Sequence, residues 1–294
     1  MTERIGFVGI GHMGAPMSAN IAAKGLPLTI YDMDQERTRD HAAKIGATAA
    51  ATLAELGEAS DIIVTMLPTG AVVRKVMEDG LADALDPDSL VIDMSSSVPT
   101  GSLELHAWLA EKGIRFIDAP VSGAVPRATT GTLAIMVGAE TDVDFERAEP
   151  VLLCMGDRIF RTGGIGTGHA MKALNNFTAA AGFAAASEAL ILGSQFGLDP
   201  KTALDIMNVS TGRNFSTEST IGENVLNGAF ASGFGLALLT KDVKIAADLS
   251  KSLGADLPLV AETSAWWDRA LNELGGEKDH TEAYKVWEKL AGGQ

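Results

Sequence analysis

Six short apolar runs, at residues 5–8, 28–31, 62–66, 90–93, 115–118 and 133–137, punctuate the first part of the chain. They are rich in Ile, Val, Leu and Phe, and their length suits strands buried on both faces of a sheet. Between them, apolar residues recur at three- and four-residue spacing over 13–24, 35–44, 72–77, 101–112 and 142–153, which predicts helices that bury one stripe. Gly25, Gly46 and Gly113 stand where helix C-terminal glycines belong, because glycine takes the left-handed conformation cheaply. Strands alternating with helices predict an α/β fold, a doubly wound parallel sheet covered on both faces.

After RTGGIGTG the pattern changes. From Gly168 to the turn FGLDP near Pro200 the spacing predicts one helix of about 28 residues, roughly 40 Å long at 1.5 Å per residue. Nine of the residues from 170 to 189 are alanine, which favours helix and lets neighbours pack closely. Helical periodicity continues over 201–209, 241–253 and 259–274, with no convincing strand. We therefore place a domain boundary at 163/164, with an α/β domain over 1–163 and an all-helical domain over 164–294.

Composition narrows the function classes. A net charge of −15 on 294 residues argues against nucleic acid and against an anionic membrane surface, since both need basic patches. An anionic substrate stays possible, because a pocket can be locally positive. The single cysteine, Cys154, has no intramolecular disulfide partner, the start MTER runs straight into IGFVGIG, and no uninterrupted apolar run reaches about 18 residues. We expect a soluble cytoplasmic protein with no leader and no membrane span. The Asp, Glu and His residues show no metal-ligand spacing, so no metal is expected.

The candidate chemistry begins at FVGIGHMG. Gly9, Gly11 and Gly14 form a G-x-G-x-x-G directly after the first strand and at the start of a helix. Gly9 permits the tight turn, Gly11 lets the backbone approach a pyrophosphate, and Gly14 lets helix and strand pack closely. His12 and Met13 fill the free positions of this cofactor loop, with His12 expected as a spacer whose ring faces solvent. A tight turn without any ligand is the alternative. Asp32 ends the second strand, where a carboxylate accepts the adenosine ribose hydroxyls and repels a 2′-phosphate, so NAD is expected over NADP. Arg37 and Arg39 follow it and are expected on an exposed helix face.

With that turn, DAPVSGA at 118–124 and GTGHAMKALNN at 166–176 in view, the chain resembles the β-hydroxyacid dehydrogenases along nearly its whole length. That family includes 3-hydroxyisobutyrate dehydrogenase and tartronate semialdehyde reductase. The resemblance implies a Rossmann domain, a long connecting helix and an all-α substrate domain that dimerises, giving a homodimer or homotetramer. It also implies hydride transfer between nicotinamide and the C3 hydroxyl of a small 3-hydroxy acid. By position, Leu67 and Pro68 match the family's cofactor-lining loop, and Ser96 replaces the usual threonine beside it. Ser122 and Gly123 match the pair that holds the substrate carboxylate. Lys172 matches the catalytic lysine and Asn176 the amide one turn later. In FGLALLTKD, Phe234 and Lys241 match the aromatic and lysine that close over substrate and cofactor, and Asp242 follows in the same motif.

The residues make physical sense of the match. No charge occurs over 173–187, yet Lys172 and Asn176 sit four apart at the start of that apolar stretch and so share a helix face. A partly desolvated lysine near a helix N-terminus has its pKa lowered from about 10.4, as proton exchange near neutral pH requires. The bland alternative is a lysine that snorkels to solvent. Asn175 occupies the position where 6-phosphogluconate dehydrogenases carry histidine, so oxidation coupled to decarboxylation loses support. One stretch departs from the family: SGAVPRATTGTL has Ala124 for the second glycine and Pro126-Arg127 for a small pair. Arg127 either meets a second polar or anionic group of the substrate or points into solvent, and we expect solvent. The rival readings are a reductase of tartronate semialdehyde or a related aldehyde acid, and a non-catalytic NAD-binding scaffold.

Overall fold

A computed structural model describes residues 2–292. The chain divides into two compact units, Met1–Lys172 and Ala173–Gln294. In the first, strands β1 (Ile5–Val8), β2 (Leu28–Tyr31), β4 (Ile62–Thr65), β5 (Leu90–Asp93) and β6 (Arg115–Asp118) coincide with the apolar runs. A two-residue strand, β3 (Thr48–Ala49), completes the parallel order β3-β2-β1-β4-β5-β6. This is the strand order of the dinucleotide-binding fold. Successive side chains point to opposite faces, so Ile62 and Val64 join one core cluster while Ile63 joins another. Helices α1 (Gly14–Ala23), α2 (Gln35–Ile45), α6 (Pro99–Ala110) and α8 (Asp142–Met155) lie where the periodicity predicts. Gly25, Gly46 and Gly113 have φ of +77°, +73° and +76°.

The far edge of the sheet is not parallel throughout. Strand β8 (Leu133–Gly138) meets β6 antiparallel through Asp118 and Gly138, and β7 (Val121–Ser122) pairs antiparallel with β8. The physical reason is the connection. Between β6 and β8 the only helix is α7 (Ala124–Thr130), whose 7 residues are too few to carry the chain back for a parallel return. A further strand, β9 (Gly156–Gly163), pairs with β8. Its sequence, GDRIFRTG, is charged and mostly exposed rather than apolar or alternating, as suits a sheet edge, and periodicity alone does not reveal it. Also unmarked by periodicity is the short α3 (Leu53–Glu58). The helix predicted at 72–77 is α4 (Gly70–Val76), continued by a π-helical turn to residue 81 and by α5 (Ala82–Ala84).

Helix α9 (Thr167–Phe196) has 30 residues. The second unit adds α10 (Pro200–Asn208), a π-helical stretch over 216–226, α11 (Leu236–Ser252), α12 (Pro258–Leu274) and α13 (Ala283–Leu290). Its core gathers Phe183, Trp267 and Trp287, with the two indoles edge to face at 5.5 Å. No strand occurs among its described residues; Gly235 and Asp279 form an isolated bridge. By length and composition α9 could cross a membrane, with a mean hydropathy of 1.3 over its best window. It nevertheless carries Asn175, Asn176 and Glu188, and its Ala180, Phe183 and Leu190 are core residues of the second unit.

Candidate active site

The glycine turn owes its sequence to close approach. A Cβ on Gly9, whose φ is +94°, would lie 2.4 Å from the Met66 carbonyl oxygen, and one on Gly14 would lie 1.8 Å from the Gly9 carbonyl oxygen. Around Gly11 the space is open, with no atom within 4 Å of a Cβ placed there. His12 is exposed, and Met13 packs its side chain on the sheet core. The half-buried Asp32 binds this turn to the end of β2. Its carboxylate accepts the Ile10 N–H and the Asp34 N–H, both at 3.0 Å. Met33, the residue after it, is 89% exposed and uncharged, while Arg37 is paired with Asp34 at 3.3 Å. A narrow turn with an uncovered glycine, next to a carboxylate that retains acceptor capacity, fits a dinucleotide.

Behind the turn lies a buried polar network. Asp93 ends β5 and accepts from the Thr65 hydroxyl at 2.9 Å, the Ser95 N–H at 3.0 Å and the Ser97 hydroxyl at 2.8 Å. The Ser95 hydroxyl in turn accepts the Leu67 N–H at 2.9 Å, which fixes the start of the Leu67-Pro68 loop. Ser96 is half-buried between these two serines. Asp118 ends β6 and reaches the start of α9, accepting the Gly166 N–H at 2.7 Å and the His169 N–H at 2.8 Å. These are N–H groups that a helix start leaves without intrahelical partners. Burial pushes the Asp118 carboxyl up, opposed by His169 and by the two N–H groups it accepts. The buried His169 ring has Nε2 3.1 Å from the Ser95 carbonyl oxygen and Nδ1 2.7 Å from the Ser102 hydroxyl. Because a carbonyl only accepts, this geometry places a proton on Nε2.

Strand β8 links the serine–glycine loop to the lysine helix. Ser122 pairs with Ala134, and two residues further along β8 the Met136 carbonyl oxygen lies 2.3 Å from where a Gly168 Cβ would be. Lys172, half-buried, follows one turn beyond Gly168 on α9. Within the second unit, Asn176 is 8% exposed and donates through Nδ2 to Asp242 Oδ2 at 2.6 Å. Lys241 Nζ lies 3.4 Å from the other Asp242 oxygen. The exposed Asn175 donates to the Asn176 side-chain oxygen at 3.2 Å. Phe234, half-buried before α11, stacks edge-on with His280 at 5.9 Å.

Asp118 and His169 lie inside the DAPVSGA and GTGHAMKALNN motifs, but no motif assigns a role to them or to Asp93 and Ser95. The available signal is an aspartate directly after buried apolar strand residues, as in LVID and RFID. A buried carboxylate there has to be met by hydrogen-bond donors.

Residues 4–164 match the NAD binding domain of 6-phosphogluconate dehydrogenase, and residues 166–287 match the NAD-binding domain of NADP-dependent 3-hydroxyisobutyrate dehydrogenase. Over 98% of its length the chain is 36% identical to the 2-(hydroxymethyl)glutarate dehydrogenase of Eubacterium barkeri, covering 96% of that protein. The chain belongs to the β-hydroxyacid dehydrogenase family. It is an oxidoreductase with an NAD-binding Rossmann fold, of the kind that interconverts hydroxy acids and their carbonyl forms. Another family member, the mitochondrial 3-hydroxyisobutyrate dehydrogenase of Drosophila melanogaster, is 36% identical over 98% of this chain and 90% of its own. The solved 3-hydroxyisobutyrate dehydrogenase of Mycobacterium tuberculosis, with L-serine, superposes with a TM-score of 0.90 at 32% identity, covering 97% of this chain and 99% of the other.

Proposed function

We propose that this family member oxidises the C3 hydroxyl of a small 3-hydroxy acid resembling 3-hydroxyisobutyrate, with NAD preferred over NADP. The observation that carries the reading is the lysine–amide pair on α9, with the Asn176 amide held by Asp242 at 2.6 Å. Lys172 takes the hydroxyl proton as the C3–H bond breaks and returns it in the reverse direction. Bound NAD supplies the hydride acceptor. Asn176 orients the lysine and the substrate oxygen, Ser122 and Gly123 bind the carboxylate, and Phe234 contacts the substrate. Gly9, Gly11, His12, Met13, Gly14, Asp32, Leu67, Pro68, Ser96 and Lys241 contact the cofactor. Residues 1–163 then act as the cofactor domain and 164–294 as the substrate and dimerisation domain of a soluble cytoplasmic homodimer or homotetramer. The exposed apolar side chains Leu192, Phe196 and Leu198 support association through the helical region.

The test is an absorbance assay for reduced nicotinamide, with NAD and NADP, across short 3-hydroxy acids. Turnover with NAD is the expected result, and Asp32→Ser should narrow the preference over NADP by about tenfold. Equal or better kcat/KM with NADP in the unmodified enzyme removes the assignment to Asp32. Cofactor binding without turnover of any acid leaves only a scaffold.

A further inference from the structure

The loop after Ser122 departs from the small residues expected there, and the structure shows what the departure builds. Gly123 has φ +138° and Ala124 has φ +52°, so the chain bends sharply as it enters α7. Gly123 leaves its side-chain space empty, and the stem of Arg127 fills it. Cδ, Cβ and Cγ of Arg127 lie 2.6, 2.7 and 3.0 Å from where a Gly123 Cβ would be. A larger residue at 123 would therefore displace the arginine. The stem lies directly on the backbone proposed to hold the substrate carboxylate, and Arg127, which carries its guanidinium beyond that stem, is an exposed residue.

That guanidinium makes no hydrogen bond or ion pair with any described residue. The chain has 38 acidic and 23 basic residues, and Arg4, Arg115 and Arg147 each hold a carboxylate. An arginine with its stem fixed by packing and its fork unengaged, beside an anion-binding loop, is preorganised for a planar anion. The overall charge of −15 repels a doubly charged substrate, and a local guanidinium offsets that repulsion where the substrate docks.

We propose that Arg127 clamps a second carboxylate of the substrate, so that the preferred 3-hydroxy acid is a dicarboxylate. This rests on the proposed 3-hydroxy acid activity and on Ser122 and Gly123 as the site of the first carboxylate. The arginine selects the substrate by its far end and takes no part in proton or hydride transfer.

The test compares 2-(hydroxymethyl)succinate with 2-(hydroxymethyl)butanoate, which share the reacting carbon and differ by one terminal carboxylate. The unmodified enzyme is expected to show a kcat/KM about 10- to 100-fold higher for the diacid, the range of a hydrogen bond to a charged group. In Arg127→Ala the ratio of diacid to monoacid kcat/KM falls at least tenfold. Arg127→Lys keeps part of it, since an ammonium supplies charge without the fork. Circular dichroism of each variant establishes that it is folded. A ratio near one in the unmodified enzyme, or an unchanged ratio in folded Arg127→Ala, overturns this inference and leaves the 3-hydroxy acid reading standing. No turnover of either diacid or monoacid, nor of 3-hydroxyisobutyrate, overturns both together.

Discussion

Strands β1, β4 and β5 of the first unit are buried at every position, whereas α9 carries Leu192 and Phe196 at 68% and 89% exposure. A parallel sheet is covered on both faces by its own crossover helices, so each strand can be apolar throughout. A helix in a small all-α unit meets its neighbours along a stripe, and apolar side chains off that stripe remain open. Polar groups follow the same division. The first unit closes the buried carboxylates of Asp93 and Asp118 with three and two hydrogen-bond donors respectively. In the second, Asp242 accepts the Asn176 amide through one oxygen, while its other oxygen lacks a hydrogen bond and has Lys241 at 3.4 Å. The strands and these two carboxylates are closed within the sheet unit, whereas α9 leaves apolar surface exposed in the helical unit.

The largest effect is expected at the lysine on the helix that enters both units. Lys172→Ala should lower kcat by about 10²- to 10⁴-fold with little change in NADH affinity, as measured by steady-state kinetics and cofactor titration. A folded variant that keeps more than about a tenth of normal kcat, a barrier change under about 1.4 kcal/mol, would show a lysine that merely snorkels.

The contrast in packing is tested by two phenylalanines. Phe7→Ala, in the fully buried β1, should cost about 3–5 kcal/mol in chemical denaturation. Phe196→Ser should change monomer stability by about 0.5 kcal/mol or less, as exposed substitutions do, while light scattering shows a shift toward smaller species. Similar costs for the two would erase the distinction between the units.

Asp118→Asn probes the closed network. An amide presents one oxygen where the carboxylate presents two, so either the Gly166 or the His169 N–H loses its acceptor. The expected cost is about 1–3 kcal/mol, with a lower melting temperature and a reduced kcat because the start of α9 is no longer fixed. A melting temperature and kcat both equal to those of the unmodified enzyme would place the start of α9 under other control.

The smallest effect is a surface pair of the sheet unit. The Arg4 guanidinium, 2.7 Å from Asp61, holds that carboxyl below the ordinary aspartate value of 3.8. The folded state binds this proton more weakly than the unfolded state, so the stabilisation is present above pH 3.8 and is lost as pH falls through the lower folded value. Arg4→Met should therefore cost about 0.2–1 kcal/mol at neutral pH, and thermal melts in acid should show the gap closing. A gap that widens in acid would contradict the sign.

Much of the fold is legible from local pattern. The apolar runs of β1, β2, β4, β5 and β6, the left-handed glycines after α1, α2 and α6, and the length of α9 all follow from interactions among residues a few positions apart. Strand β9 and the π-helical stretch over 216–226 escape such a reading. One is a charged edge, and the other, STESTIGENVL, is dominated by residues that are poor helix formers. For the site, the glycine turn, Asp32 and the Lys172–Asn176 spacing are visible as motifs, because each lies within one element or its cap.

The sequence by itself determined the periodicities, the positions of special backbone conformation and the chemical groups available. The tertiary structure alone decided which distant groups meet. Asp118 caps a helix that starts some 48 residues later, Asn176 finds Asp242 across 66 residues, and β8 turns antiparallel because a 7-residue helix cannot return the chain the other way. It also placed the stem of Arg127, which fills the space that Gly123 leaves empty, a fit that depends on the φ of two neighbouring residues. Local pattern follows from short-range sterics and burial. Contacts of this kind depend on the path of every residue between the partners, and no spacing rule encodes that path.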